Sequence, residues 1–341
     1  MARFAPAALI ATLLFADLAP LCAQSPPAAE KPGARLARKG DEIAVCGQLF
    51  HTTAPVVLWT DEGGYDAYRV ERRFADLKSS SWEKSASKDL KTPNRYGART
   101  EGLTPAQIEK IRGGGWSLPM LQDVVDQFVL HFDVCGTSKQ CFKVLHDARG
   151  LSVHFMLDLD GTIYQTLDLK ERAWHATISN TRSIGIEIAN IGAYSVAPKP
   201  GEKDTLAEWY QKDESGKLRI VVPKSQGPMN WRPADFVPRP RKEEPVVGEI
   251  QGKNLRMYDL TPQQYDSLVK LSATLCKVFP KIKCDYPRGA DGKLLRAKLP
   301  DGDLFRYQGI LGHYHIQTNK TDPGPALDWD YLIGEARKQM E

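Results

Sequence analysis

Beyond its N-terminus the chain has no run approaching 18 uninterrupted apolar residues, so nothing in the mature protein reads as a transmembrane segment. Its six cysteines include no C-x-x-C pair, which argues against a cysteine-ligated zinc module. Charge of one sign is also scarce. The 46 Lys and Arg against 42 Asp and Glu leave a net +4, too weak and too dispersed for a nucleic-acid partner. Short mixed runs such as Glu71-Arg72-Arg73 and Lys242-Glu243-Glu244 read as solvated surface. No segment repeats, so a solenoid or propeller is not expected. What is present is 42% apolar residues in a chain of 341, enough for one large core or two modest ones.

The first 23 residues carry the parts of a secretory signal peptide. These are a basic Arg3, an apolar stretch from Ala7 to Phe15 too short to span a bilayer, and a small-residue cleavage site ending at Ala23. The mature protein is therefore expected to be exported, periplasmic or extracellular. Cys22 follows Ala19-Pro20-Leu21, a poor match to the small residues that lipid attachment requires. Residues 24–40, rich in Pro, Ala, Lys and Arg, read as a flexible leader. Export makes the other cysteines interpretable. Cys135 and Cys141 flank Gly136-Thr137-Ser138, and Cys276 and Cys284 flank Pro280, so two short-loop disulfides are expected, each worth about 2 to 3 kcal/mol on the chain-entropy account. Cys46 is left without a partner.

Residues 41–123 read as an N-terminal extension. Ile43-Ala44-Val45 and Val56-Val57-Leu58-Trp59 suggest short strands, and Thr104-Pro105-Ala106-Gln107 opens a helix with Thr as N-cap and Pro at its first position. From residue 124 onward, Phe128-Val129-Leu130-His131 reads as a buried strand, and Asp160-Gly161 between apolar runs predicts a hairpin with a type I′ turn. In Ser183–Ile188 the isoleucines share one face. Gly185, Glu187 and Ala189 share the other, where the small residues leave room around Glu187. Residues 193–259 form a proline-rich insertion with a candidate hairpin at Asp213–Gly216, expected to act as a wall of the site or as a mobile lid. Thr261-Pro262 starts an amphipathic helix stopped by Pro280, and a shorter helix from Asp330 to Lys338 closes the chain. The interleaving favours an α/β fold with a central mixed β-sheet flanked by helices.

The most specific stretch is Gly312-His313-Tyr314-His315, followed by Asn319-Lys320-Thr321-Asp322-Pro323-Gly324-Pro325-Ala326-Leu327-Asp328-Trp329. Its Pro-Gly-Pro turn can continue neither helix nor strand. It sets His313 and Asp322 around Lys320, and a borderline cation such as zinc accepts imidazole nitrogen and carboxylate oxygen together. A catalytic zinc site needs a third protein ligand, for which His131 is the candidate. Between these lie Leu151–Gln165, Ala173-Trp174-His175-Ala176 and Ser183-Ile184-Gly185-Ile186-Glu187-Ile188.

In that order, over residues 126–192 and 261–335, the segments resemble the zinc-dependent N-acetylmuramoyl-L-alanine amidases of the type-2 family, which also includes the peptidoglycan recognition proteins. The resemblance implies zinc on His131, His313 and Asp322, with Glu187 as the acidic catalytic residue and Lys320 as its basic partner. Trp174 and His175 fall where the family has a Trp-His pair near the sugar and peptide groove. Residues 124–341 would then be the amidase domain, acting on the bond between N-acetylmuramic acid and L-alanine in peptidoglycan or muropeptides. One position departs: Val153 stands where several relatives have Tyr, which shifts the weight to Glu187 and Lys320. The rival reading is a non-catalytic wall-binding or sensing protein on the same scaffold. A cysteine hydrolase using Cys135 would need a free thiol, which neighbouring Cys141 disfavours. His315 is expected to support the site or lie at the surface; His146 and His154 are left unassigned, His154 sharing a strand face with Ser152 and Met156, and His51 lies too far upstream to displace His131.

Overall fold

Short β-branched and aromatic runs separated by Gly, Asp and Pro build a sheet of brief strands, and the longest amphipathic segment covers one face of it. The structure, a computed structural model, describes Met1 and residues 31–84, 93, 95–113, 115–197, 201 and 203–341. The expected signal peptide, Cys22 and the first residues of the expected leader lie outside these, apart from Met1. Met1–Ala37 form one unit and Arg38–Glu341 another, and every element named here belongs to the second.

Strands β1 (Glu42–Val45) and β2 (Gln48–His51) pair around Cys46-Gly47, both with positive φ as a two-residue type I′ turn requires. β3 (Val56–Leu58) follows. Helix α1 (Pro105–Arg112) starts at a capping box between Thr104 and Gln107, and α2 (Leu118–Val124) leads into β4 (Gln127–Phe132). α3 (Ser138–Phe142) runs on into a wider turn over Lys143–Ala148. Then come β5 (Phe155–Leu157), β6 (Ile163–Gln165) and β7 (Ser183–Ile188). The insertion holds β8 (Tyr194–Ser195), α4 (Thr205–Trp209), β9 (Tyr210–Lys212), β10 (Leu218–Ile220), β11 (Val246–Ile250) and β12 (Lys253–Met257). The chain ends with α5 (Pro262–Val278), α6 (Asp301–Arg306), β13 (Gly309–Gly312) and α7 (Trp329–Met340).

The central sheet has six strands in the order β13-β4-β7-β5-β6-β3. Every neighbouring pair is parallel except β5 with β6, so the sheet is mixed. Alternation along β4 and β7 sorts the side chains. Phe128, Leu130, Ile184, Ile186 and Ile188 join Leu268, Leu271 and Leu275 of α5 and Leu332 of α7 in the main core. Val129 of β4 faces the other way, into a smaller cluster with Leu299, Leu304, Leu311 and Ile316, and His131 and Glu187 share that face.

Several local expectations change. The Asp160-Gly161 turn is not type I′: only Gly161 has positive φ, and its N–H closes the turn on the Asp158 carbonyl at 3.0 Å. This longer loop lets the Asp160 carboxylate accept from the Thr162 N–H. The insertion is built rather than structureless. β9 and β10 form the hairpin at Asp213–Gly216, and Leu206, Trp209, Tyr210, Leu218 and Ile220 bury against Leu159, Ala189 and Ile191. Neither expected disulfide is formed, since all five described cysteines are free thiols. The partners are nonetheless neighbours: burial and then Cys135 raise the pKa of Cys141, and Cys284 raises that of Cys276.

Residues 41–123 contribute an edge strand to the central sheet through β3, and also a buried arginine. Arg99 is fully buried and donates to the carbonyl oxygens of Leu169, Asn180, Thr181 and Ser183 at 2.6–3.2 Å. Its second terminal nitrogen lies 2.9 Å from His154 Nε2, while His154 Nδ1 accepts the Gly185 N–H at 3.1 Å. The pin therefore ends beside the strand that carries Glu187.

Candidate metal centre and cleft

Three elements carry the site. β4 presents His131 directly across from Glu187 of β7 in the parallel register. β13 ends at Gly312, after which His313–His315 make a single turn. A Cβ at Gly312 would stand 2.6 Å from Pro323, so the close approach of the Asp322 loop demands glycine. That loop is tied down by its own backbone: Tyr314 N–H donates to the Asp322 carbonyl, Lys320 N–H to that of Gln317 and Gly324 N–H to that of Thr321.

His131 Nδ1, His313 Nδ1 and Asp322 Oδ2 converge in a triangle with sides of 3.0, 2.8 and 2.9 Å. All three residues are buried. Ligands on a tetrahedral zinc, at about 2.0–2.1 Å from the ion, stand about 3.3 Å apart, so outward shifts of a few tenths of an ångström admit the ion. Two imidazole nitrogens and one carboxylate oxygen, close to one another and desolvated, are the donor set zinc takes. Burial and the nearby His313 push His131 down to about 4, against the pull of Asp322. Burial alone would raise Asp322, but the two imidazoles hold it far below the usual carboxylate range. The triangle thus sets a neutral His131 imidazole beside the Asp322 anion.

Glu187 is half-buried. Burial first, then the carboxylates of Asp322 and Asp133, raise its pKa well above the usual carboxylate range, and Lys320 opposes them. His313 and Lys320 stand on the wall of a cleft of ≈ 670 Å³ together with Trp174, His175, Arg149 and Arg172. The Arg172 guanidinium lies 4.0 Å over the Trp174 ring.

The five residues expected at the metal and its chemistry are therefore gathered at one end of the sheet, and Trp174 and His175 line the adjoining cleft. His175 also touches the triangle, with its Nδ1 3.0 Å from His131 Nε2. His315 is fully buried and structural, accepting the Gly312 N–H and bonding the Leu295 carbonyl. His146 is held by Asp147 and Arg95, and His51 pairs with Asp41 in the β1–β2 hairpin. His51, Asp41 and Glu42 also cluster, but Glu42 spends its oxygens on the N–H groups of Lys39, Gly40 and Asp41. Gln317, Ser183 and Arg99 were not anticipated. Only the four-residue offset of Gln317 from His313 hinted at contact.

Residues 121–218 match the family model described as N-acetylmuramoyl-L-alanine amidase. Over this segment the chain is similar to the type-2 amidase family. The matched segment holds His131, Trp174, His175 and Glu187, whereas His313, Lys320 and Asp322 lie beyond it and join the site through the fold. That similarity supports amide hydrolysis in peptidoglycan as the activity class. None of the curated proteins matches. Among solved structures, the selenomethionine derivative of AmpD is 17% identical with a TM-score of 0.32, the match covering 72% of this chain and 92% of that one. The endolysin amidase LysCS from Clostridium intestinale URNW is likewise 17% identical at 0.32, covering 65% and 88%. AmiD from E. coli, in complex with anhydro-N-acetylmuramic acid-L-Ala-D-gamma-Glu-L-Lys, is 18% identical at 0.34, covering 62% and 57%.

Proposed function

We propose that this chain is a zinc-dependent amidase and hydrolyses the amide between the lactyl group of N-acetylmuramic acid and L-alanine, in peptidoglycan or its fragments, outside the cytoplasm. The observation that carries the reading is the buried triangle of His131, His313 and Asp322 beside a half-buried glutamate. When bound there, zinc supplies Lewis acidity, lowering the pKa of water and polarising the scissile carbonyl.

The remaining steps belong to the chain. Glu187, on a rigid strand across from His131, takes the proton of the attacking water and delivers it to the amide nitrogen as the carbon–nitrogen bond breaks. The products are a free lactyl carboxylate and the L-alanine amine. Lys320, on the cleft wall, stabilises the negative charge that develops on the carbonyl oxygen. Trp174 offers an apolar face to the substrate, stiffened by Arg172 stacked on it. His131, His313 and Asp322 hold the ion, and burial keeps competing water away from them.

Mass spectrometry of products from purified wall and from soluble muropeptides tests the bond and the substrate size together. The expected product is a stem peptide beginning at a free L-alanine amine. Binding of wall with no cleavage by zinc-loaded protein would favour the non-catalytic binder instead.

A further inference from the structure

Both imidazoles of the triangle turn Nδ1 inward, which leaves each Nε2 to be satisfied from behind. His313 Nε2 lies 2.6 Å from Gln317 Oε1, an atom that can only accept. His313 therefore carries its proton on Nε2, and its Nδ1 lone pair is aimed into the triangle. His131 Nε2 lies 3.0 Å from His175 Nδ1, and His175 Nε2 lies 3.2 Å from Ser183 Oγ. A cation held by His131 Nδ1 requires the proton on Nε2. His175 must then accept at Nδ1 and donate from Nε2 to Ser183, so one chain of hydrogen bonds fixes both rings.

The mount for His175 is unusually complete. Asn180 Oδ1 accepts the backbone N–H groups of His175 and Ala176 at 3.0 and 2.6 Å. A Cβ at Gly185 would overlap the His175 ring, so the ring lies against bare backbone of β7. Ser183 begins that strand and is fully buried. A side chain serving substrate alone would not need both ring nitrogens committed to protein partners.

We propose that His175, backed by Ser183, and Gln317 are positioning residues that set the tautomer and ring orientation of His131 and His313 for zinc. The proposal rests on the zinc reading given above. Partners of this kind typically change metal affinity by about 10 to 100-fold when removed.

Zinc affinity of the full chain, measured by competition with a chromophoric chelator, tests it without reference to turnover. His175→Ala and Gln317→Ala should each weaken zinc about 10 to 100-fold. His175→Asn places an amide oxygen near the position of Nδ1 and should recover most of the loss, as should Gln317→Glu, which keeps the acceptor. Ser183→Ala, the mildest change, should weaken zinc less than His175→Ala. If His175→Ala folds poorly, the Gln317 pair and Ser183→Ala carry the test. Alanine variants that bind zinc as wild type does, or an Asn variant no better than Ala, overturn the proposal. Wild-type protein that takes up no zinc instead overturns the zinc reading itself.

Discussion

Replacing Arg99 with Met should unhinge the N-terminal residues from the sheet. The guanidinium donates hydrogen bonds to four carbonyl oxygens, those of Leu169, Asn180, Thr181 and Ser183. A methionine of similar length fills much of the volume but donates nothing. Each buried acceptor left unpaired costs about 1 to 3 kcal/mol, while removing a desolvated charge returns several kcal/mol. The balance is a net loss of about 3 to 5 kcal/mol, the usual cost of removing one side of a buried charged network. Urea unfolding at pH 7 followed by tryptophan fluorescence reads it, and amide exchange should show the largest loss of protection in residues 168–185. Arg99→Lys should recover only part, because one ammonium cannot reach four acceptors arranged around a planar fork. A loss below about 1 kcal/mol for Arg99→Met would refute this account of the pin.

Glu187→Gln keeps shape but cannot take a proton, so turnover should fall by about 10² to 10⁴-fold while zinc content is retained; loss of zinc would make Glu187 a ligand, and near-normal turnover would place the base elsewhere. His154 is buried and neutral, lowered by burial and then by Arg99 to about 3, so its contribution to stability is whole above pH 6.5 and is lost as pH falls toward 3. Unfolding free energy measured from pH 7 to 4 should therefore decline with acid, and a flat profile would contradict the burial of a neutral imidazole. Because the thiols of Cys135 and Cys141, and of Cys276 and Cys284, are neighbours that shift one another's ionisation, oxidation should close these two pairs and leave Cys46 free. Non-reducing peptide mapping checks this, and a bridge from Cys46 to any of the four would contradict it.

Much of the sheet was legible because strand alternation is a local signal. The isoleucines of Ser183–Ile188 share a face as their spacing demands, and so Glu187 comes to lie opposite His131. α5 was equally plain, since Thr261, Pro262 and the apolar stripe mark its start and buried side. The turn at Asp160-Gly161 was misread because a dipeptide cannot reveal how far the flanking strands pair. The pairing stops at Leu157 and Ile163, which leaves a longer loop than a two-residue turn allows.

The site divides in the same way. His313, Lys320 and Asp322 could be read together because a short loop holds them, and His131 because the order of segments resembles a known family. The supports behind them could not. Gln317 looks like a polar loop residue, and Ser183 like the start of a strand. Arg99 reaches carbonyls 70 to 84 positions away in sequence, a separation that leaves no periodic trace. His175 was read only as a substrate contact, because nothing in Trp174-His175-Ala176 shows where its second nitrogen points.

The central claim is that His131, His313 and Asp322 together hold one zinc ion. Metal analysis of metal-free protein titrated with zinc, by mass spectrometry with inductively coupled plasma after gel filtration, addresses it directly. The account predicts uptake that saturates at one zinc per chain and is lost in both His131→Ala and His313→Ala. Saturation at one per chain in those variants, or no uptake by the wild type, would contradict it.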